Sequence, residues 1–586
     1  MIKIAAVARG DIPADIVIHN ANIANVFTQN YELADVAIYS GKIAGIAENY
    51  SGRVNFDAQG RVLIPGLIDG HVHIEDTMMT PPNFARIASL HGTTSVFADP
   101  HEIANCLGMA GLEYMFKSSQ GLPIDIFYGA PSCVPASEYE TPFDELDMNA
   151  IKSMFEKNLT QHLGEMMNFP AVINGDTDAW GKILAAGNVP LTGHAPGVTG
   201  KSLNAYLSSG INSDHECTQL NEAREKLSRG MFIMIREGAS FNDLHTLLPL
   251  IRENPLNAAR SMVVSDDITA RYLLETGHMD AKMKIMLHEG LNPFIALRMI
   301  TLTPAEYFRL YDRGIIAPGK IADFVILDND ILDETFAIHS VWKNGRLIAR
   351  DNDSFHIDDN EHAAPVIKIH VRNIPTTEQI KINPEGKIIN VIGVTQGTVI
   401  TRTLQVPFEQ ATPENDIAKI IVLERHHDTG NFGIGFVHGL GISHGAIASS
   451  VAHDAHNFIA AGADDTSIIT AITKLAEMGG GLVTADGEKI TGSFALPIAG
   501  LMNGLSPEQT ANELSKIEEE AAKLGAKIPH PFMVLSFLEL SVIPELRISD
   551  RGYVDITKGG TRPLFVDKIP KEETTATHHV MLRNLS

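Results

Sequence analysis

Imidazole and carboxylate side chains recur along this chain at the points where apolar runs end. The run from 62 to 68 feeds Asp69-Gly70-His71-Val72-His73, and strand alternation points residues 71 and 73 to the same side, so both imidazoles can reach one metal ion. Alone, a His-x-His pair is weak evidence, since most such pairs are histidines with ordinary hydrogen-bond partners. Glu165, His194, His215 and Asp266 then appear in order, each at or just after a further apolar run. Together they complete the ligand set of a two-metal hydrolytic site.

Ligands at successive strand ends imply a (β/α)8 TIM barrel, which carries its chemistry at the C-terminal ends of its strands. Residues 94–98, 123–128 and 231–235 read as the second, third and seventh strands. Helical spacing over 202–207 ends near Gly210, and that over 220–227 ends near Gly230. The barrel is assigned to 62–312, near the roughly 250 residues usual for this architecture. Short strands at 14–20, 35–39 and 42–46 return in texture at 322–327 and 341–348. They predict one small β-sandwich domain built from both flanks, 1–61 and 313–369. Residues 370–586 are read as a C-terminal α+β domain.

The chain is 586 residues long with 44% hydrophobic and 20% charged residues, a globular balance that fits two or three domains. Its formal net charge of -25 argues against nucleic acid and anionic membranes as partners. Three cysteines, Cys106, Cys133 and Cys217, are an odd and sparse set that points to a reducing compartment. Arg9 interrupts the short apolar start, and no apolar run reaches the length of a membrane span. A cytoplasmic enzyme is the expectation.

Other motifs have a structural reading beside a chemical one. Cys217 follows His215-Glu216 and reads as a buried thiol rather than a nucleophile or ligand. The stretch from Gly430 to Gly462 holds His438, His444 and His453-Asp454-Ala455-His456, preceded by Glu424-Arg425-His426-His427. These are hydrogen-bonded turn histidines or a second metal site. Gly479-Gly480-Gly481 lacks the Lys-Ser/Thr of a phosphate loop and reads as a turn.

Several stretches resemble the amidohydrolase superfamily and, within it, the bacterial adenine deaminases. The segments are 65–75 (PGLIDGHVHIE), 98–105 (ADPHEIAN), 165–170 (EMMNFP), 194–197 (HAPG), 213–218 (SDHECT) and 496–502 (LPIAGLM). The resemblance spans nearly the whole chain. It implies that His71, His73 and Asp266 hold one ion, that His194 and His215 hold the other, and that Glu165 bridges them. The ions would be manganese or iron in preference to zinc. Two divalent cations lower the pKa of a bound water so that it attacks an electrophilic ring carbon such as C6 of adenine. Glu165 and His215 take part as ligands at the reacting centre.

Asp266 is the expected proton shuttle, and Glu216 and Asp267 are candidates for gripping ring nitrogens or the exocyclic amine. Asp267 has a second reading as a helix cap. Glu75, Asp99, His101 and Glu102 match family positions near the barrel mouth, as further metal contacts or as loop-fixing groups. The chain departs from the family at Asp76-Thr77, where serines are common. It departs again after Asp267, where Ile268-Thr269-Ala270-Arg271-Tyr272 replaces a basic residue and a His-Pro step; that loop is expected over the pocket.

The substrate read from this is a small purine, adenine first and another aminopurine or amino-heterocycle second. A cyclic-amide hydrolase, a non-catalytic purine-binding protein and an iron-based redox side activity are the other readings. An exposed edge in the flanking β-domain allows a homodimer.

Overall fold

The computed structural model describes residues 2–239, 241–350, 353–354, 371–395 and 397–566. Eight strands form the central barrel: Leu67–Val72, Thr93–Ala98, Asp125–Ala130, His162–Met166, Leu191–Gly193, Ser213–Asp214, Phe232–Arg236 and Ser261–Val264. The first five pair in parallel, as do the last three. Between the last and the first, Asp266 N–H donates to His71 O at 2.9 Å and His73 N–H to Asp266 O at 3.3 Å. At the other junction the Tyr307 hydroxyl lies 2.8 Å from both Leu191 O and Ser213 Oγ, bridging the fifth and sixth strands.

The first two strands are buried along their whole length. Strands covered on both faces read as continuous apolar runs, which is why these segments were legible. Ile68, Phe97, Met234, Met262 and Val264 pack with Tyr307 and Phe308 in one cluster, and Phe308 stacks on Phe97 at 3.5 Å between ring centroids. The barrel interior below the mouth is therefore solid core.

Both flanks contribute to one nine-stranded sheet. In it Ala14–Asn25 pairs with Asn30–Tyr39 and with Val62–Pro65, which pairs in turn with Phe324–Leu327. The apolar run from 62 to 68 is thus two strands. Val62–Pro65 belongs to the flanking sheet and Leu67–Val72 to the barrel, because Pro65-Gly66 interrupts the run. Residues 341–348 cover parts of the hairpin strands Ile338–Lys343 and Arg346–Arg350, joined at Asn344-Gly345.

The C-terminal residues form a second nine-stranded sheet with the helices Asp465–Met478, Pro507–Lys523 and Pro531–Phe537. Gly479, at φ 79°, is the left-handed cap of the first helix, so the triple glycine is a turn. Apolar residues of this domain and of the barrel's first half merge into one core. Asn503 donates from both its backbone N–H and Nδ2 to Met78 O, at 3.0 and 2.8 Å, and Arg425 reaches Cys106 Sγ at 3.1 Å. The stretch 496–502 that carried the resemblance thus leads directly into a domain contact. Among the described residues, no helix is long and apolar enough to cross a membrane.

Candidate metal centre at the barrel mouth

His71 and His73 stand at the end of the first strand and turn Nε2 toward two carboxylates. Glu165 Oε1 lies 3.6 and 3.3 Å from these nitrogens, and Asp266 Oδ1 lies 3.2 and 3.1 Å from them. The other oxygen of Glu165, Oε2, is 2.8 Å from His194 Nδ1 and 3.2 Å from His215 Nε2. One carboxylate therefore faces a pair of imidazoles with each of its oxygens. All six side chains are buried, and His71 Nε2 has no hydrogen-bond partner. An unpaired buried nitrogen is costly and calls for an explanation. Donor atoms sharing an ion with bonds of about 2.1 Å stand about 3.4 Å apart in a tetrahedron, and these spacings cluster around that value. The set fits two divalent cations.

Charge supports the same reading. Burial opposes ionisation of Glu165, but His215, His194 and His73 around it hold its carboxyl well below the usual range. Burial likewise opposes ionisation of Asp266, and His215, His71 and His73 outweigh it.

Neighbouring residues fix the donors. Asp69 accepts from the backbone N–H groups of His71 and Ser265 at 3.3 and 3.1 Å and pairs with His278 at 2.9 Å, joining the first and last strands beneath the mouth. Asp99 accepts from Glu165 N–H at 2.6 Å, and its backbone carbonyl accepts from His73 Nδ1 at 3.1 Å. A Cβ on Gly164 would stand 2.3 Å from Asp99 Oδ1, so this approach requires glycine. Asp99 thus acts as a positioning group.

Asp214 accepts from Ala195 N–H at 2.7 Å and from Lys226 Nζ at 2.9 Å, while Lys226 also donates to Ala195 O at 2.6 Å and to Glu222 at 2.5 Å. This buried knot holds the His194 and His215 loops together. Lys226→Met is expected to cost about 3–5 kcal/mol, the usual penalty for leaving a buried carboxylate unpaired. Chemical denaturation checks this, and unchanged stability would show the knot to be dispensable. Cys217 donates to Asp214 at 3.1 Å, and burial pushes its thiol well above the usual range, so it is the inert thiol expected.

Arg236, at the end of the seventh strand, was not singled out from the sequence. It is buried and donates to Glu216 at 2.5 Å and to Asp243 at 3.0 Å, with Asp266 Oδ2 at 3.4 Å. A cation closing a barrel strand was the available signal. Glu216 and Asp267 both line the cavity over the metal donors. Burial, then Asp266 and Asp76, push the Asp267 carboxyl well above its usual range. The cap of the following helix is Thr269, whose hydroxyl accepts from Tyr272 N–H; the helix-cap reading of Asp267 does not apply.

The loop after Asp267 lies elsewhere than expected. Ile268 is buried in the apolar core, and Arg271 pairs with Glu518 at 2.7 Å. Among the described residues, 268–272 do not line the metal cavity. That departure from the family pattern therefore leaves the cavity lining untouched.

The C-terminal domain closes the mouth. Val399, His453, Asp454, Phe537, Leu540 and Ile543 line the cavity opposite the barrel donors and leave about 20 Å³ free. A neighbouring cavity of about 430 Å³ shares Val399 and Phe537 with it, the size range of small-molecule sites. His101 and Glu102, at the start of the helix His101–Leu107, line the metal cavity too. Glu75 accepts from Ile103 N–H at 3.4 Å, and burial with the nearby Glu102 pushes its carboxyl up to about 8. His426 and His427 bond to Ala455 O and Pro142 O, and the exposed His444 faces Asp486; these are turn histidines.

Residues 62–348 match the Amidohydrolase family, and residues 394–559 match the Adenine deaminase C-terminal domain. An adenine deaminase of Desulfatibacillum aliphaticivorans is 44% identical over 563 residues, 94% of this chain and 98% of that one. The chain belongs to the adenine deaminase family of amidohydrolases. The adenine deaminase of Dehalococcoides mccartyi (strain CBDB1) is 41% identical over 94% of this chain and 97% of its own length. That of Kosmotoga olearia is 40% identical over 97% and 99%. Family membership thus covers both the barrel that carries the candidate donors and the domain that closes them in.

Proposed function

We propose that this protein hydrolyses adenine to hypoxanthine and ammonia at two divalent cations held between the barrel and its C-terminal domain. The observation that carries this is the Glu165 carboxylate, one oxygen toward His71 and His73 and the other toward His194 and His215. In this reading His71, His73 and Asp266 hold one ion, His194 and His215 the other, and Glu165 both. Nitrogen and carboxylate donors suit manganese, iron and zinc, and the family resemblance favours manganese or iron. When bound, the pair lowers the pKa of water enough to supply a nucleophile at neutral pH.

The chain's own groups do the rest. Asp266 takes the proton released by the attacking water and delivers it to the departing amine. Arg236, beside Asp266 Oδ2, keeps that carboxylate oriented during the transfer. Asp267 and Glu216, the latter held by Arg236, line the cavity and grip the ring nitrogens or the exocyclic amine of the purine. Val399 and Phe537 line both cavities, and their apolar side chains keep bulk water from the reacting centre.

Substrate choice is tested by incubating the manganese-loaded protein with adenine, adenosine, guanine and cytosine. The expected result is ammonia from adenine with an intact purine product. A new carboxylate from an opened ring would identify a cyclic-amide hydrolase instead, and ammonia from another base alone would move the substrate.

A further inference from the structure

A second group of buried donors lies beside the metal centre, at the seam between barrel and C-terminal domain. His453 Nδ1 is 3.3 Å from Glu102 Oε1 and 3.8 Å from Asp454 Oδ1, and its Nε2 is 3.4 Å from Asp76 Oδ1. His101 Nε2 faces Asp454 Oδ1 at 3.7 Å. All of these residues are at most 3% exposed, so bulk water does not solvate them. Both oxygens of Glu102, both of Asp76, and Asp454 Oδ2 nevertheless have no hydrogen-bond partner. So dense a group of unsatisfied buried carboxylate oxygens is far from the native norm.

The contacts resemble those around Glu165. There, imidazole nitrogens and carboxylate oxygens stand 2.8–3.6 Å apart, and His71 Nε2 likewise has no hydrogen-bond partner. That pattern is expected of atoms that ligate one ion rather than bond to one another. His456 behaves differently. Its Nδ1 accepts from Ala452 N–H at 3.0 Å, so in the neutral ring Nε2, 3.8 Å from Glu102 Oε2, carries the proton and has no lone pair for an ion. This leaves Glu102, His453 Nδ1 and Asp454 as the donor set, with Asp76 behind the far nitrogen of His453. A carboxylate on the outer nitrogen of a metal-binding imidazole is the usual support for such a ligand.

We propose that Glu102, His453 and Asp454 hold a third divalent cation, which ties the C-terminal domain to the barrel mouth. Two carboxylates and one imidazole suit manganese, ferrous iron or zinc, and two carboxylates balance a divalent charge. Glu102 comes from the barrel and the other two ligands from the C-terminal domain, so the ion joins the two parts of the cavity wall. This cluster is defined by its own donors, whatever the substrate.

The test is an anomalous difference map from crystals of the full-length protein grown with manganese, paired with metal analysis of His453→Ala. A peak between Glu102, His453 and Asp454, separate from those at Glu165, is the expected result. The variant should then lose one manganese per chain and keep the peaks at Glu165. A map without a peak at Glu102 overturns the proposal whatever it shows at Glu165. Loss of the Glu165 peaks with the Glu102 peak retained would instead overturn the dinuclear reading.

Discussion

Asp266→Asn is expected to lower kcat/KM for adenine by about 10³-fold while the protein still binds its metals. Positioned acid–base groups contribute roughly 10²–10⁴-fold, and asparagine keeps an oxygen for the metal while losing the basic site. The geometry makes this substitution informative. Asp266 Oδ1 is within 3.2 Å of both His71 and His73 Nε2, and its backbone closes the barrel at φ 58°. Few L residues adopt that conformation, but asparagine is among those that do, so the fold is retained. Metal content by plasma mass spectrometry and ammonia release, measured on the same sample, separate loss of ligand from loss of proton transfer. Activity within tenfold of wild type would remove Asp266 from the proton path.

The second large effect is expected at Arg236. Its guanidinium is buried between Glu216, Asp243 and Asp266, and burial is outweighed by those charges in holding it protonated. Arg236→Met leaves three buried carboxylates without their shared cation, which costs about 3–5 kcal/mol in such settings. Denaturant unfolding of the metal-loaded protein measures that loss. Arg236→Lys should recover part of the stability but little of the activity, because an ammonium cannot reproduce the planar fork. Equal recovery of both would reduce Arg236 to a structural cation.

The barrel was legible because its strands are mostly buried apolar runs, several of which stop at a histidine or a carboxylate. Thr93–Ala98 and Phe232–Arg236 fall within a residue of their sequence-based ranges. The two-residue strand Ser213–Asp214 is short, yet His215 after it was readable from its residue type. What the sequence hid is non-local. Lys226, Arg236 and His278 matter through partners on other strands, and no local pattern pairs Lys226 with Asp214 or His278 with Asp69. The covering role of the C-terminal domain was hidden for the same reason. The stretch holding His453 and Asp454 read as turn histidines or a second metal site, and only the fold brings His453 to Glu102.

The most direct measurement is ammonia release from adenine by chelator-stripped protein before and after manganese is restored. The stripped protein should release no ammonia. On reloading, ammonia and hypoxanthine should appear in equal amounts. Undiminished turnover by the stripped protein, or none by protein with manganese demonstrably bound, would contradict a metal-dependent adenine deaminase.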